Sequence, residues 1–277
     1  MFVKASLPSI GRAGMAFYLG AALCWAGDAR AATEAQGARV TRVIGEVKIA
    51  AAQNAQRAAS LNARITDGDA IRTSANARTE LTFPDQTLAR FGANTLCNLT
   101  DNSRSLQLNE GAVLFQAPDS ARGGVKVKTG GITISIKGTT GIVERYQDLY
   151  VKILVLEGTA RVYLNKLGES VLVKAGQLLI TKPGTKSLPE AVHFEIAQLY
   201  KTSLLTSSDF SPLASRDKIF REIKKQESDP AFIRTNLVIH GRGTLVNLVP
   251  PTPTPGPPVK PAAAAAATKP SSVEKRK

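Results

Sequence analysis

The sequence predicts a mainly β fold: an antiparallel β roll or sandwich, or a short β-solenoid, followed by a small α-helical appendage and a disordered tail. Three observations predict it. From Ala38 to about Thr181, apolar residues recur at every second position in short runs, the period of a half-buried strand. Glycines fall between the runs, where turns need positive φ. Aromatic residues make up only 5% of the chain, so the core must rest on Val, Ile and Leu, which suit pleated surfaces. The runs start every ten to twenty residues or so without a fixed repeat, which argues against a long regular β-helix.

Composition removes several classes. At 277 residues and 43% hydrophobic, the chain is long and apolar enough to bury a core. Two cysteines and two histidines exclude a multi-disulfide scaffold, a Cys-rich zinc site and a histidine-built metal centre.

Residues 1–31 read as a signal peptide. Lys4 and Arg12 precede fourteen uncharged, mostly apolar residues, Ala13 to Ala26, fewer than the roughly 20 that span a bilayer. Ala29-Arg30-Ala31 supplies small residues for cleavage near Ala31. A lipoprotein is disfavoured because Leu23 precedes Cys24. The mature protein is expected to be periplasmic or secreted, without a transmembrane span. Cleavage leaves Cys97 as a single cysteine, expected to be a small core residue.

The strands then follow in order. Val47 and Ile49 alternate with Lys48, and Leu81 and Phe83 with Thr82. Val125 and Val127 alternate with Lys126 and Lys128, and Ile132, Ile134 and Ile136 with Thr133, Ser135 and Lys137. Val151 to Leu156 is apolar on both faces and reads as an inner strand. Ala160, Val162 and Leu164 alternate with Arg161, Tyr163 and Asn165. This β domain is expected over 38–185.

After Pro183-Gly184 the period changes, and 186–249 reads as the helical appendage with a short strand-like end, Leu237 to Ile239. Ser187 and Glu190 have capping-box spacing ahead of Val192, Ile196, Leu199 and Tyr200 on one helical face. Ser211-Pro212 reads as an N-cap and N1 proline of a second helix to about Gln226, with Leu213, Ile219, Phe220 and Ile223 apolar. Arg216, Lys218, Arg221, Lys224 and Lys225 lie along that helix and form a candidate basic contact surface. Residues 250–277 hold eight of the 15 prolines, then six alanines and a basic end, and read as a disordered tether.

Chemistry is sparse. His193, placed in the first helix, and His240 lack a metal-ligand spacing. Asp67 and Asp69 are too few for a calcium loop. Gly138-Thr139-Thr140-Gly141 lacks the P-loop spacing and reads as a tight turn or bulge. Glu144, Asp148 and Glu157 could serve a polysaccharide-processing enzyme, but no spacing singles them out. No catalytic, cofactor or metal residue is expected.

One ordered set of turns is more specific. It comprises Gly68-Asp69-Ala70-Ile71-Arg72-Thr73, Leu81-Thr82-Phe83-Pro84-Asp85-Gln86-Thr87, Leu108-Asn109-Glu110-Gly111, Val127-Lys128-Thr129, Lys137-Gly138-Thr139, Glu157-Gly158-Thr159-Ala160-Arg161-Val162 and Ala175-Gly176-Gln177. In this order the set resembles the FecR domain family, with Gln86 where glycine is usual and Lys137 in place of arginine. The resemblance implies a β-rich extracytoplasmic module that makes protein contacts; it does not imply catalysis. It assigns Gly68, Asp69, Thr73, Asp85, Gly111, Gly138, Thr139, Glu157, Gly158 and Gly176 to structural turns. Sensor members carry an anti-sigma segment and a transmembrane helix ahead of this module. Here a signal peptide stands in that place, so direct sigma-factor control is not expected.

The expected function is therefore an exported, non-enzymatic binding or signalling module of the bacterial cell envelope. Its expected partner is an envelope protein or an anionic polysaccharide or lipid. A polysaccharide-processing enzyme is the alternative, and after it a sensor component acting through a separate membrane partner. Oligomeric state is not fixed by the sequence. The net charge of +14 first suggests nucleic acid, but it divides into three populations. Residues 1–31 carry +2, the tail +4 and residues 32–249 +8. Without clusters of aromatic and basic residues that stack bases, nucleic acid is not the expected partner.

Overall fold

The computed structural model describes residues 37–51, 56–101, 103–121, 124–165, 167–232, 237–239 and 246–248. The expected signal peptide, His240 and the tail over 250–277 lie outside the described residues.

The chain crosses repeatedly between two antiparallel sheets. β1 (Ala38–Ile44) lies in the first sheet and turns at Gly45 into β2 (Val47–Ala50) of the second. β3 (Gln56–Ala58) pairs with β2, and β4 (Arg64–Ile65) returns to β1. β5 (Ala70–Thr73) joins β2, and a turn at Ser74–Ala77 leads to β6 (Arg78–Thr82) beside β1. β7 (Leu88–Phe91) pairs with β6, and β8 (Leu96–Thr100) pairs with β5.

β9 (Ser105–Ala117) belongs to both sheets: its first half pairs with β8 and its second with β7. It bends at Gly111, whose φ is +89°, and a Cβ there would stand 2.5 Å from the Thr95 Cα. Only glycine fits that corner.

The second half of the β body repeats the device at the opposite end. β10 (Val125–Thr129) runs parallel to β9 and forms a hairpin with β11 (Ile132–Ile136). The chain crosses at Gly138 into β12 (Thr139–Tyr146), which pairs with β9 and with β13 (Tyr150–Glu157). It crosses back at Gly158 into β14 (Thr159–Leu164), and β15 (Ser170–Lys174) pairs with β14. A last crossing at Gly176 gives β16 (Gln177–Thr181) beside β13. The β9–β10 pair is parallel, and the other pairs among the described strands are antiparallel.

Ile49, Ile71, Leu99, Ile134 and Val162 from the second sheet meet Val40, Leu81, Val143, Ile153 and Leu179 from the first in one core between the layers. The sandwich expected from the alternation is thus present. Gly138-Thr139-Thr140-Gly141 is both a tight turn and a bulge, with a register shift between Thr140 and Gly141. Cys97 is fully buried in the core. Val151 to Leu156 is an inner strand buried on both faces.

The appendage departs from expectation at its helix starts. Val192 and His193 form β17 (Val192–His193), which extends the edge of β16. The first helix, α1 (Ile196–Thr202), begins six residues after Glu190. The Ser187 capping box goes unused because a distant side chain meets the need. Gln226 Oε1 accepts the Ile196 N–H at 3.1 Å, and Gln226 Nε2 donates to the Phe194 carbonyl at 2.9 Å. The second helix, α2 (Arg216–Ser228), starts at Ser215 rather than Ser211. The Ser211 carbonyl accepts from the Arg90 guanidinium instead, and the first α2 bond runs from Ile219 N–H to the Ser215 carbonyl. The strand-like end is present as β18 (Leu237–Ile239), paired with β19 (Val246–Leu248). Among the described residues no helix is long and apolar enough to cross a membrane.

Candidate functional site

The family-like turn residues serve the scaffold. Asp69, just after the Gly68 turn, accepts the Thr66 N–H at 2.8 Å, and Asp85 accepts the Thr87 N–H at 3.0 Å. Thr73 Oγ1 donates to the Gly92 carbonyl at 2.6 Å and accepts the Thr95 N–H at 2.8 Å, which ties two neighbouring corners. Thr139 does the same work at the opposite end, donating to the Thr159 carbonyl at 2.6 Å and accepting the Thr159 N–H at 3.3 Å. Gly158 packs so closely that a Cβ would collide with the Gly138 carbonyl, and Gly176 turns the last crossing. Gln86 holds φ at +65°, a left-handed conformation that explains why glycine is usual there.

The three candidate carboxylates do not converge. Glu144 and Lys152 are a buried pair at 3.5 Å, and the Tyr150 hydroxyl donates to Glu144 at 3.2 Å. Burial pushes the Lys152 ammonium down, against the pull of Glu144. Glu157 lies five residues beyond Lys152 on β13, a rise of about 17 Å. Asp148 sits in the exposed β12–β13 turn beside Arg145. Glycosidase carboxylate pairs stand about 5–10 Å apart. Among the described residues no group of three His, Cys, Asp or Glu side chains gathers to hold a metal.

Glu157 belongs to a buried polar chain. Its Oε1 is 2.9 Å from Thr140 Oγ1, which is 2.7 Å from Ser215 Oγ, which is 3.1 Å from Gln116 Oε1. The Ser215 N–H also donates to Gln116 Oε1, which fixes the amide orientation. The Thr140 hydroxyl is shared between Glu157 and Ser215, and the Ser215 hydroxyl donates to Gln116. Burial raises the Glu157 carboxyl above its ordinary range, while Thr140 and Lys218 oppose that shift and Asp119 and Glu222 reinforce it.

Arg90 is the second tie to the appendage. On β7 and 1% exposed, it reaches Glu80 at 2.8 Å, the Leu205 carbonyl at 2.9 Å and the Ser211 carbonyl at 2.5 Å. Its guanidinium lies 4.6 Å from the Phe210 ring centroid. Nothing local in the sequence marked this residue.

The basic residues of α2 are exposed, as expected, but partly neutralised. Lys218 pairs with Asp119 at 3.0 Å, Lys225 lies 3.8 Å from Glu222, and Arg216 stacks on Phe220. Asp217, Glu222 and Glu227 share the helix. Arg221 and Lys224 point outward without an ion pair among the described residues.

A second basic surface lies on the other layer. The outer face of the second sheet across β10, β11, β14 and β15 carries Lys126, Lys128, Arg161 and Lys174, and these four strands contain no Asp or Glu. Thr133, Ser135, Ser170 and an exposed Tyr163 lie between the cations. Lys128 pairs with Asp101 at the rim. Each cation was visible in the alternation, but only strand pairing brings them onto one face.

A search of curated proteins finds no match. Among solved structures, the chain is similar to two crystal structures of a candidate anti-sigma factor from Parabacteroides distasonis ATCC 8503, at 16% and 17% identity with TM-scores of 0.41 and 0.40. Each alignment covers 47% of this chain and 62% of that one, so the chain spans less than two thirds of their length. Residues 69–161, from the start of β5 into β14, match the family model described as FecR protein. Over that span the β body is similar to the FecR family.

Proposed function

We propose that this chain is an exported, non-enzymatic FecR-domain protein, a binding and signalling module of the bacterial cell envelope. One observation carries the reading. The FecR match falls on a β body whose family-like turn residues and buried carboxylates are committed to corners, ion pairs and helix docking. What such a body offers a partner is surface. Its partner on this reading is an envelope protein or an anionic envelope polymer.

The test has two readouts. Mass analysis of protein recovered from fractionated cells should find a mature chain beginning near Ala32 outside the cytoplasm. Immobilised protein should retain an envelope component at low salt. Full-length protein confined to the cytoplasm, or hydrolysis of an envelope glycan by the purified protein, would overturn the proposal.

A further inference from the structure

We propose that the open outer face of the second sheet, across β10, β11, β14 and β15, is a docking surface for a linear carboxylate-bearing polysaccharide. The inference rests on the reading of the chain as an envelope-binding module and names the ligand class and the face. Charge complementarity is the first argument. Lys126, Arg161 and Lys174 project from strands without acidic residues, and none has an ion pair among the described residues.

Their placement is the second argument. The register aligns Lys126 with Ser135 and Arg161 in one row across three strands, and Lys128 with Thr133 and Tyr163 in the next. Lys174 faces Thr159, one row further along the same diagonal. Two strand spacings put Lys126 and Arg161 about 10 Å apart, and one spacing plus two residues puts Arg161 and Lys174 about 8 Å apart. The cations therefore form a spaced series across the sheet, suited to a polymer with charges at intervals.

The surface between them is the third argument. Thr133, Ser135 and Ser170 offer hydroxyls, and Tyr163, 40% exposed, offers a ring to the C–H face of a sugar. Among the described residues no helix covers this face, since α1 and α2 lie on the first sheet. The α2 cations, by contrast, alternate with acids on a helix whose apolar side is already docked.

The test compares Lys126→Ser/Arg161→Ser/Lys174→Ser with Arg221→Ser/Lys224→Ser, each in the full chain. Polygalacturonate is the probe. Neutral dextran and phosphatidylglycerol vesicles are the comparison ligands. The wild type and the α2 double variant should bind polygalacturonate alike, and the triple variant about tenfold or more weakly at low salt. Raising the salt should weaken wild-type binding. All five side chains are exposed, so matching melting curves and circular dichroism serve as the folding control.

Equal loss in both variants, no loss in the triple variant, no binding to polygalacturonate, or preference for dextran or vesicles would each overturn the assignment. Any of these results alongside continued capture of an envelope component would sink this face and its ligand while sparing the envelope reading. Cytoplasmic, uncleaved protein would sink the envelope reading instead.

Discussion

Replacing Arg90 with Met should detach or unfold the helical appendage. The substitution keeps most of the side chain's length and apolar stem, so packing changes little. What it removes is charge and hydrogen bonding. Glu80, itself buried, loses the guanidinium at 2.8 Å and keeps only the Thr41 hydroxyl at 2.7 Å. The Leu205 and Ser211 carbonyls lose their donor. Breaking a buried ion pair from one side costs about 3–5 kcal/mol, and each orphaned carbonyl adds about 1 kcal/mol or more. A loss of about 5–7 kcal/mol is a large part of the roughly 5–15 kcal/mol that holds a domain folded. Urea unfolding would measure it, and hydrogen exchange across residues 203–228 would show whether the loss is local. The double variant Glu80→Met/Arg90→Met should recover about 3 kcal/mol or more, because no unpaired charge remains while the two carbonyls stay unsatisfied. If Arg90→Met cost under about 1 kcal/mol, or the double variant were less stable than either single one, the pinning argument would be wrong.

Three further outcomes are expected. Gln86→Gly should raise stability by about 0.5–1 kcal/mol, because it relieves a left-handed residue while adding unfolded-state entropy; an unchanged or lower melting temperature would refute this. Burial raises the folded-state pKa of Glu157, so its contribution is full below the ordinary carboxyl range and is lost as pH rises through the raised value. The stability of the wild type relative to Glu157→Gln should therefore fall as the pH rises above the ordinary carboxyl range of about 4; a difference that stays flat as the pH rises would contradict the raised carboxyl. Cys97 is fully buried and its thiol is pushed well up by burial, so the peptide containing it should resist iodoacetamide until denaturant is added; labelling of the native protein would place the residue elsewhere.

Much of the fold was legible because its signals are local. Alternation at Val125–Lys128 and Ile132–Ile136 needs only neighbours in sequence, and these stretches are strands at those positions. The doubly apolar Val151–Leu156 announced an inner strand, and the reason is now visible. One side faces the sandwich core and the other the appendage, with Ile153 and Val155 in the first and Leu154 and Leu156 in the second. Helix starts failed because distant side chains overrode local capping. Gln226 satisfies the α1 N-terminus, and Arg90 takes the Ser211 carbonyl. The cationic face was hidden because Lys126 and Arg161 are 35 positions apart in sequence and meet only through β11. Arg90 was hidden too, since a single arginine in a strand carries no sign of what will cover it.

The two outer faces of the sandwich bear different physical demands, and this decides where a partner can approach. On the first sheet, Leu114, Ile142, Leu154, Leu156 and Leu178 point outward and are covered by Phe194, Ile196, Leu199, Leu213, Ile219 and Ile223. Uncovering five such side chains would cost on the order of 10 kcal/mol as an upper estimate. A micromolar partner supplies only about 8 kcal/mol. A partner that had to displace the appendage would therefore need to replace the whole apolar contact with its own. The outer residues of the second sheet impose no such cost, because Lys126, Thr133, Ser135 and Arg161 stay hydrated when the face is bare. A partner meeting the second sheet thus needs no prior opening, whereas one seeking the outer face of the first sheet would have to displace the appendage.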